Sequence, residues 1–431
     1  MQRNSASLKE RSCEGSQRGA SVLAICSDSA RVDDSSQSTE TRPAAVLAPP
    51  YDAHKPTTAE RLQQMDGLRG IAMLFVFLGH FAMVWTKSVH PGGAAGVFLR
   101  LVDADATFGS SLFMLLSGFF AYGSLARGKK SFGEFLRGRI WRLYPLYLIM
   151  TFVYVLGSLV FPKMSKLPAD PHVATLFILQ TLLFLPGLLH VKPLMDVAWT
   201  LSFVILFYFV EGAVARLFKL WGISRLSRFV LLAGASLLWA QAGDSTGWWQ
   251  PRTAIFWVGM ALSEAVGAMS GERLAWATRL TAPAAVVTIL GVWLRTDLMM
   301  RRDPLIAPLA VERFMITAVT LFAFIWVAYF GPQWWKHLLS GQQLRKLGAA
   351  SYSFYLTHGF AVKAFSFGII PWLGTAARMQ LVFGASQIVG LALSIAIARV
   401  VYTLVESPLS KLAPKPYVTS QVAFWRTETT F

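Results

Sequence analysis

Eleven apolar runs of roughly fifteen to twenty-seven residues follow one another between residues 68 and 404, and this repeat limits the fold more than any single motif does. They cover 68–85, 107–126, 140–161, 172–190, 197–218, 226–242, 253–269, 280–294, 314–330, 347–373 and 381–404. A chain of 431 residues that is 54% hydrophobic and 15% charged is too apolar for a soluble protein of this size. Within hydrocarbon every backbone amide needs an internal partner, which leaves helices or a closed barrel, and runs of this length specify helices. The expectation is an all-α polytopic transmembrane bundle.

The net charge of +17 does not point to nucleic acid, because the basic residues sit in the short loops between runs. There they set orientation under the positive-inside rule. If all eleven runs cross, that rule is violated; it is satisfied if 172–190 stays on the outer side as a re-entrant or surface segment. Ten spans then place both termini and the basic loops 127–142, 216–228 and 336–346 in the cytoplasm, as in a multi-pass protein of a bacterial inner membrane. The outer loop 295–313 runs against the bias, with three acids beside its four arginines. Residues 1–60 are polar and aperiodic and read as a disordered cytoplasmic tail, 61–412 as the membrane domain, and 413–431 as a short cytoplasmic tail. The two cysteines, Cys13 and Cys26, both fall in the first tail, so no disulfide framework or metal-ligand spacing is present.

The first run, within QMDGLRGIAMLFVFLGHFAMVW, carries two side chains that lipid rejects, Arg69 and His80. Eleven residues are three helical turns, so the two share a face and lie roughly 16 Å apart along the axis. Each also has a simpler reading: Arg69 as a snorkelling anchor, His80 as a hydrogen bond to a neighbouring helix. Asp66, just before the apolar run, fits an N-cap. In FLRGRIWRLYPLY, Arg139 and Arg142 stand at i and i+3, a pairing suited to phosphate and equally to topology.

Six stretches, DGLRGIAMLFVFLGH, SLFMLLSGFF, FLRGRIWRLYPLY, WTLSFVILFYF, LGAASYSFYLTH and ESPLSKL, occur in an order and spacing that resemble the acyltransferase-3 family. These are integral-membrane O-acyltransferases of bacterial surface glycans. The resemblance covers residues 62–412. It implies that His80 is the catalytic base or acyl relay and that Arg69, Arg139 and Arg142 hold the phosphates of a cytoplasmic acyl-CoA, with no bound cofactor and no metal. The residues are compatible with this by themselves: an imidazole takes a proton from a hydroxyl near neutral pH, and a thin thioester arm fits along one helix face. The acceptor implied is a hydroxyl of a carbohydrate or glycolipid of the cell envelope, such as an exopolysaccharide undergoing O-acetylation from acetyl-CoA.

One position departs from the pattern. Many relatives carry Glu after WTLSF, where this chain has Val204; Glu264 is a substitute acid or else half of a buried ion pair. His358 in SYSFYLTH stands at a depth close to that of His80, where it can orient that ring, meet the acceptor or simply pack. Ser117 and Gly118 fit close helix packing better than nucleophilic chemistry. Trp199 and Tyr208 match the family's aromatic positions, Trp199 either stacking on a sugar or serving an interfacial belt. Glu406 is expected to pair with a cytoplasmic arginine. The rival class, a secondary transporter exporting a glycan or small anion, also tolerates intramembrane charge, but the inverted repeats and paired broken helices of such proteins are missing.

Overall fold

Helix boundaries follow local chemistry where the chain leaves the apolar runs. Before the fourth helix Ser131 and Glu134 form a capping box: the Glu134 amide donates to Ser131 Oγ (3.3 Å) and the Ser131 amide donates to Glu134 Oε2 (2.8 Å). Asp170 caps the fifth helix by accepting from the amides of His172 (2.8 Å) and Val173 (2.9 Å), with Pro171 at the first helical position. The computed structural model describes residues 58–88, 93–104, 107–126, 131–162, 165–189, 191–301, 310–368 and 376–412. All of these belong to one compact unit, Lys55–Phe431.

Sixteen α-helices make up the described chain. The first eight are α1 (Thr58–Ser88), α2 (Gly93–Ala104), α3 (Phe108–Ala126), α4 (Phe132–Val160), α5 (Pro171–Leu182), α6 (Ala198–Leu217), α7 (Arg225–Thr246) and α8 (Ile255–Gly267). The rest are α9 (Arg273–Arg279), α10 (Thr281–Arg301), α11 (Ala310–Phe330), α12 (Gln333–Leu339), α13 (Gln342–Ala349), α14 (Ser351–Gly368), α15 (Ala376–Val401) and α16 (Ser407–Lys411). No strand occurs among the described residues, so the expected all-α bundle is what forms.

Eight segments among the described residues are long and apolar enough to cross a membrane; they lie on α1, α2–α3, α4, α6, α7, α9–α10, α11 and α15–α16. Two of the ten expected spans, 253–269 and 347–373, fall outside that count. They form α8, only 13 residues long, and α14, 18 residues long, rich in hydroxyl side chains and carrying His358 and Lys363. Both are sheathed by other helices, which explains why neither needs the composition of a lipid-facing rod: most of α8 and all of Ser351–His358 are buried. The run 172–190 supplies α5, about 18 Å long against a hydrocarbon core of roughly 30 Å, followed by a turn with positive φ at Phe184 (56°) and Gly187 (89°). Phe184 stacks on Tyr147 of α4 at 4.3 Å, and Tyr147 Oη donates to the Thr181 carbonyl (2.9 Å), so the end of this segment packs on α4.

The expected tail 1–60 needs a correction at its end, since α1 already begins at Thr58; residues 1–57 and 413–431, with both cysteines, lie outside the described residues. Leucine, valine and isoleucine on the outer sides of α4, α7 and α10, for example Leu159 (66%), Leu238 (73%) and Ile289 (69%), stay open, as a lipid-facing surface requires.

Two apolar cores meet at α3. One gathers α3, α7, α8 and α11 around Leu115, Phe119 and Phe256; the other gathers α1, α4, α6 and α14 around Phe77, Tyr147 and Phe354. Glycines set the closest crossings. A methyl on Gly118 would be driven into the Phe256 carbonyl of α8, and one on Gly259 into the Leu115 carbonyl of α3, so the two backbones touch in both directions. The DGLRG stretch works the same way: Gly67 and Gly70 of α1 lie on the carbonyls of Leu339 and Leu344, while Gly348 of α13 lies on that of Asp66. That contact fixes the rotation of α1 and turns Arg69 to its other side.

Adding a single methyl at Gly118 or Gly259 should therefore lower stability by about 1–3 kcal/mol or more through overpacking. Thermal unfolding of purified Gly118→Ala in detergent checks this; a midpoint equal to that of the parent would contradict the crossing.

Candidate active site

Arg69, Arg139 and Arg142 converge on one cavity of about 110 Å³ walled by α1, α3, α4, α6 and the start of α14. Phe120 organises the first two. The Arg69 guanidinium lies 4.9 Å from the centre of its ring, and Arg139 Nη2 donates to its carbonyl (3.3 Å). Arg139 also lies between the Phe135 (5.3 Å) and Tyr208 (5.4 Å) rings. The capping box places Arg139 and Arg142 two turns into α4, where both face inward; Pro145, lacking an amide hydrogen, then leaves the Trp141 carbonyl without its helical donor.

Asp66 is corrected. It is not an N-cap, because α1 starts eight residues earlier; instead it accepts from Arg69 Nη1 at 3.0 Å, an i, i+3 pair that steadies the guanidinium. Ser117 lines the cavity while its neighbour Gly118 makes the helix crossing.

Along α6 the cavity wall runs from Tyr208 through Val204 and Leu201 to Thr200, about 12 Å of helix. At the Thr200 end Tyr355 of α14 closes it. Its hydroxyl donates to the Val197 carbonyl (3.0 Å) and bonds Thr200 Oγ1. Beyond Tyr355 stands a pair of imidazoles. His358 is 6.2 Å from Tyr355 ring to ring, and His80 meets His358 edge to face at 5.1 Å. His80 is therefore not itself part of the cavity wall: the groove expected to join Arg69 directly to His80 ends at Tyr355, and His358 stands next to that end.

Both rings are held the same way. His80 Nδ1 donates to the Val76 carbonyl (2.8 Å) and His358 Nδ1 to the Phe354 carbonyl (3.1 Å), each one turn back on its own helix. A carbonyl can only accept, so in both neutral rings Nε2 carries the lone pair. His358 Nε2 is buried with no partner among the described residues. Of the two lone-pair nitrogens, that of His358 thus lacks a donor among the described residues.

Glu264 takes the structural role. Arg228 grips it with two bonds (Nε to Oε1 2.7 Å, Nη2 to Oε2 3.1 Å), and Tyr122 Oη donates to Oε1 (2.5 Å). The network joins α3, α7 and α8 away from the cavity, and leaves the wall at Val204 apolar. The Glu406 carboxylate accepts from the Ser353 amide (3.1 Å) and Oγ, capping the first turn of α14, and it also feels the charge of Arg142, the kind of cytoplasmic arginine expected beside it.

Trp199 belongs to a second cavity, about 530 Å³, at the end of α6 away from Arg216. Successive turns of one helix divide the two spaces. Thr200, Leu201 and Val204 face the arginine cavity, while Trp199 and Phe203 face the second one.

Sequence reasoning passed over Tyr355 and Glu211. Tyr352, Tyr355 and His358 recur every three residues, a spacing that places them on one side of a helix and could have been read as such. Glu211 is a carboxyl inside an apolar run, one turn beyond Tyr208, 1% exposed, with neither oxygen hydrogen-bonded among the described residues. An acid in a span is a signal in itself.

A family model described as "Acyltransferase domain" matches residues 62–402. The chain is similar to "Acyltransferase MdmB" of Streptomyces mycarofaciens, 31% identical over 176 residues, which are 40% of this chain and 43% of that protein. It is also similar to "Protein 2 in picA locus" of Rhizobium radiobacter, 30% identical over 206 residues, covering 43% of this chain and 96% of that protein. The match thus spans less than half the length of the first relative and nearly all of the second. No solved structure matches.

Because Glu264 and Arg228 are buried partners (6% and 13% exposed side chains), deleting one strands the other. Glu264→Ala should cost about 3–5 kcal/mol in stability. Chemical denaturation measures it, and a loss below ~1 kcal/mol would show that the pair does not brace the bundle.

Proposed function

The chain belongs to the acyltransferase-3 family, and from that premise we propose an integral-membrane O-acyltransferase that moves an acyl group, acetyl first among them, from cytoplasmic acyl-CoA to a carbohydrate hydroxyl on the outer side of the membrane. The observation that carries this reading is the convergence of Arg69, Arg139 and Arg142 on a narrow cavity that ends beside two imidazoles. Three guanidiniums at one end suit the phosphates of a CoA head group. The cavity between these helices suits a slender chain such as the pantetheine arm.

The chemistry is a direct transfer. The acceptor hydroxyl donates to His80 Nε2, and its oxygen attacks the thioester carbonyl as the imidazole takes the proton. The new C–O bond forms, the C–S bond breaks, and the imidazolium returns its proton to the departing thiolate. The Val76 carbonyl holds Nδ1–H, which fixes the tautomer and stabilises the charged ring. His358, with its own Nε2 available, positions the hydroxyl by accepting from a second donor on the acceptor.

Purified His80→Ala should keep its unfolding midpoint and lose transfer by at least ~10²-fold. Arg139→Ala or Arg142→Ala should instead raise KM for acetyl-CoA by roughly tenfold or more, since a charge-assisted bond contributes about 1.5–3 kcal/mol. The assay is thioester loss in membranes supplied with acceptor. Normal turnover by His80→Ala would reject the assignment, and absence of thioester consumption by the parent under every acceptor would favour transport instead.

A further inference from the structure

The second cavity is built differently from the first. Trp199 and Phe203 come from the first turns of α6, Asp244 from the end of α7, and Trp248, Trp249 and Gln250 from the segment that follows. Two glycines shape it. A methyl on Gly243 would strike the Trp249 ring at 2.7 Å, so that glycine makes room for an indole, and one on Gly187 would press on the backbone and Cβ of Trp199 at 3.0–3.2 Å, so that glycine lets the start of α6 approach. The indoles are fixed rather than loose: Trp249 Nε1 donates to the Trp239 carbonyl (3.1 Å) and its ring packs on Trp239 at 4.7 Å. Trp199 has the Arg252 guanidinium over it at 4.5 Å, and Arg252 Nε donates to Gln250 Oε1 at 2.5 Å. Trp248, 58% exposed, stands at the rim.

An aromatic belt spreads its rings around the outside of a bundle. Here three indoles from two segments, the start of α6 and the stretch after α7, instead line a concave space, with a carboxylate and an amide beside them. Flat π faces meet the C–H faces of a pyranose, and Asp244 and Gln250 match its hydroxyls, the carboxylate accepting and the amide doing either. A lipid tail would gain nothing from those two polar groups, and burying them against it would be costly.

We propose that this cleft is the docking site for a pyranose ring of the acceptor, stacked on Trp199, Trp248 and Trp249 and hydrogen-bonded by Asp244 and Gln250. The proposal rests on the carbohydrate-acceptor reading above and supplies its place. The wall between the cleft and the arginine cavity is one helix thick: Trp199 faces the sugar, and the adjacent Thr200 is bonded to Tyr355 beside His358. A ring held at Trp199 is therefore separated from the end of the donor cavity by the body of α6 alone.

The test is saturation-transfer NMR of the purified full chain in detergent with methyl α-pyranosides of glucose, galactose, mannose and rhamnose, run alongside acetyl-CoA consumption by the same preparation. Saturation of ring protons by at least one glycoside is expected, falling at least fivefold in Trp248→Ala and in Asp244→Asn, kept in Trp248→Phe, and kept in His80→Ala. Undiminished transfer in both Trp248→Ala and Asp244→Asn overturns the site. So does transfer to detergent acyl chains with none to any sugar. A parent that consumes acetyl-CoA yet saturates no glycoside overturns the cleft alone. A parent that saturates glycosides through Trp248 but never consumes thioester supports the cleft while refuting the transferase.

Discussion

Charge inside this bundle has to be met by protein, because hydrocarbon supplies neither water nor counter-ion. Most of the architecture around the site follows from how each buried cation is accommodated. Arg228 is neutralised by Glu264 and given the Leu220 and Ile223 carbonyls as well, which makes it a brace. Arg295 is held by the hydroxyls of Thr317 and Thr107, joining α10 to α11 and to the residue before α3. At the central cavity Arg69 is paired with Asp66, while Arg139 has aromatic faces, a carbonyl and a 3.5 Å contact to Ser124 Oγ, and both line the open space. Positive charge left facing a cavity favours an anionic ligand there.

The helix that makes this useful is α6. It is the partition between a positively charged bore and an aromatic cleft, and its first turn is tied to α14 through Thr200, Val197 and Tyr355. Close glycine crossings hold the surrounding helices in register, α1 on α13 and α3 on α8, so the partition stands in a rigid frame. Donor and acceptor can then approach from opposite sides of α6, and direct transfer requires the acceptor oxygen to meet the thioester carbonyl beside the imidazole pair.

Much of this was legible in the sequence. The apolar runs predict the helices, the loop charges single out the run that supplies the short α5, and the Arg69, Arg139 and Arg142 side chains do line one cavity. What periodicity cannot supply is the rotation of one helix against another. Asp66 looked like a cap because the polar turns of α1 before it carry no apolar signal, and Glu264 was ambiguous because its partner lies 36 residues away on another helix. Likewise His80 and Arg69 share a face of α1, yet whether they share a cavity depends on where α14 places Tyr355. The tryptophan cleft combines three separate segments, none of which is distinctive alone.

The central claim is that one slender cavity leads from the arginines to Tyr355, beside the imidazole pair. Its most direct test is a structure of the protein bound to a ketone analogue of acetyl-CoA in which carbon replaces the thioester sulfur. The account predicts the phosphates against Arg69, Arg139 and Arg142, the pantetheine along α6 past Tyr208, and the ketone between Thr200 and the His80–His358 pair. An analogue seated outside that cavity, or one whose ketone is walled off from both histidines by closely packed side chains, would contradict it.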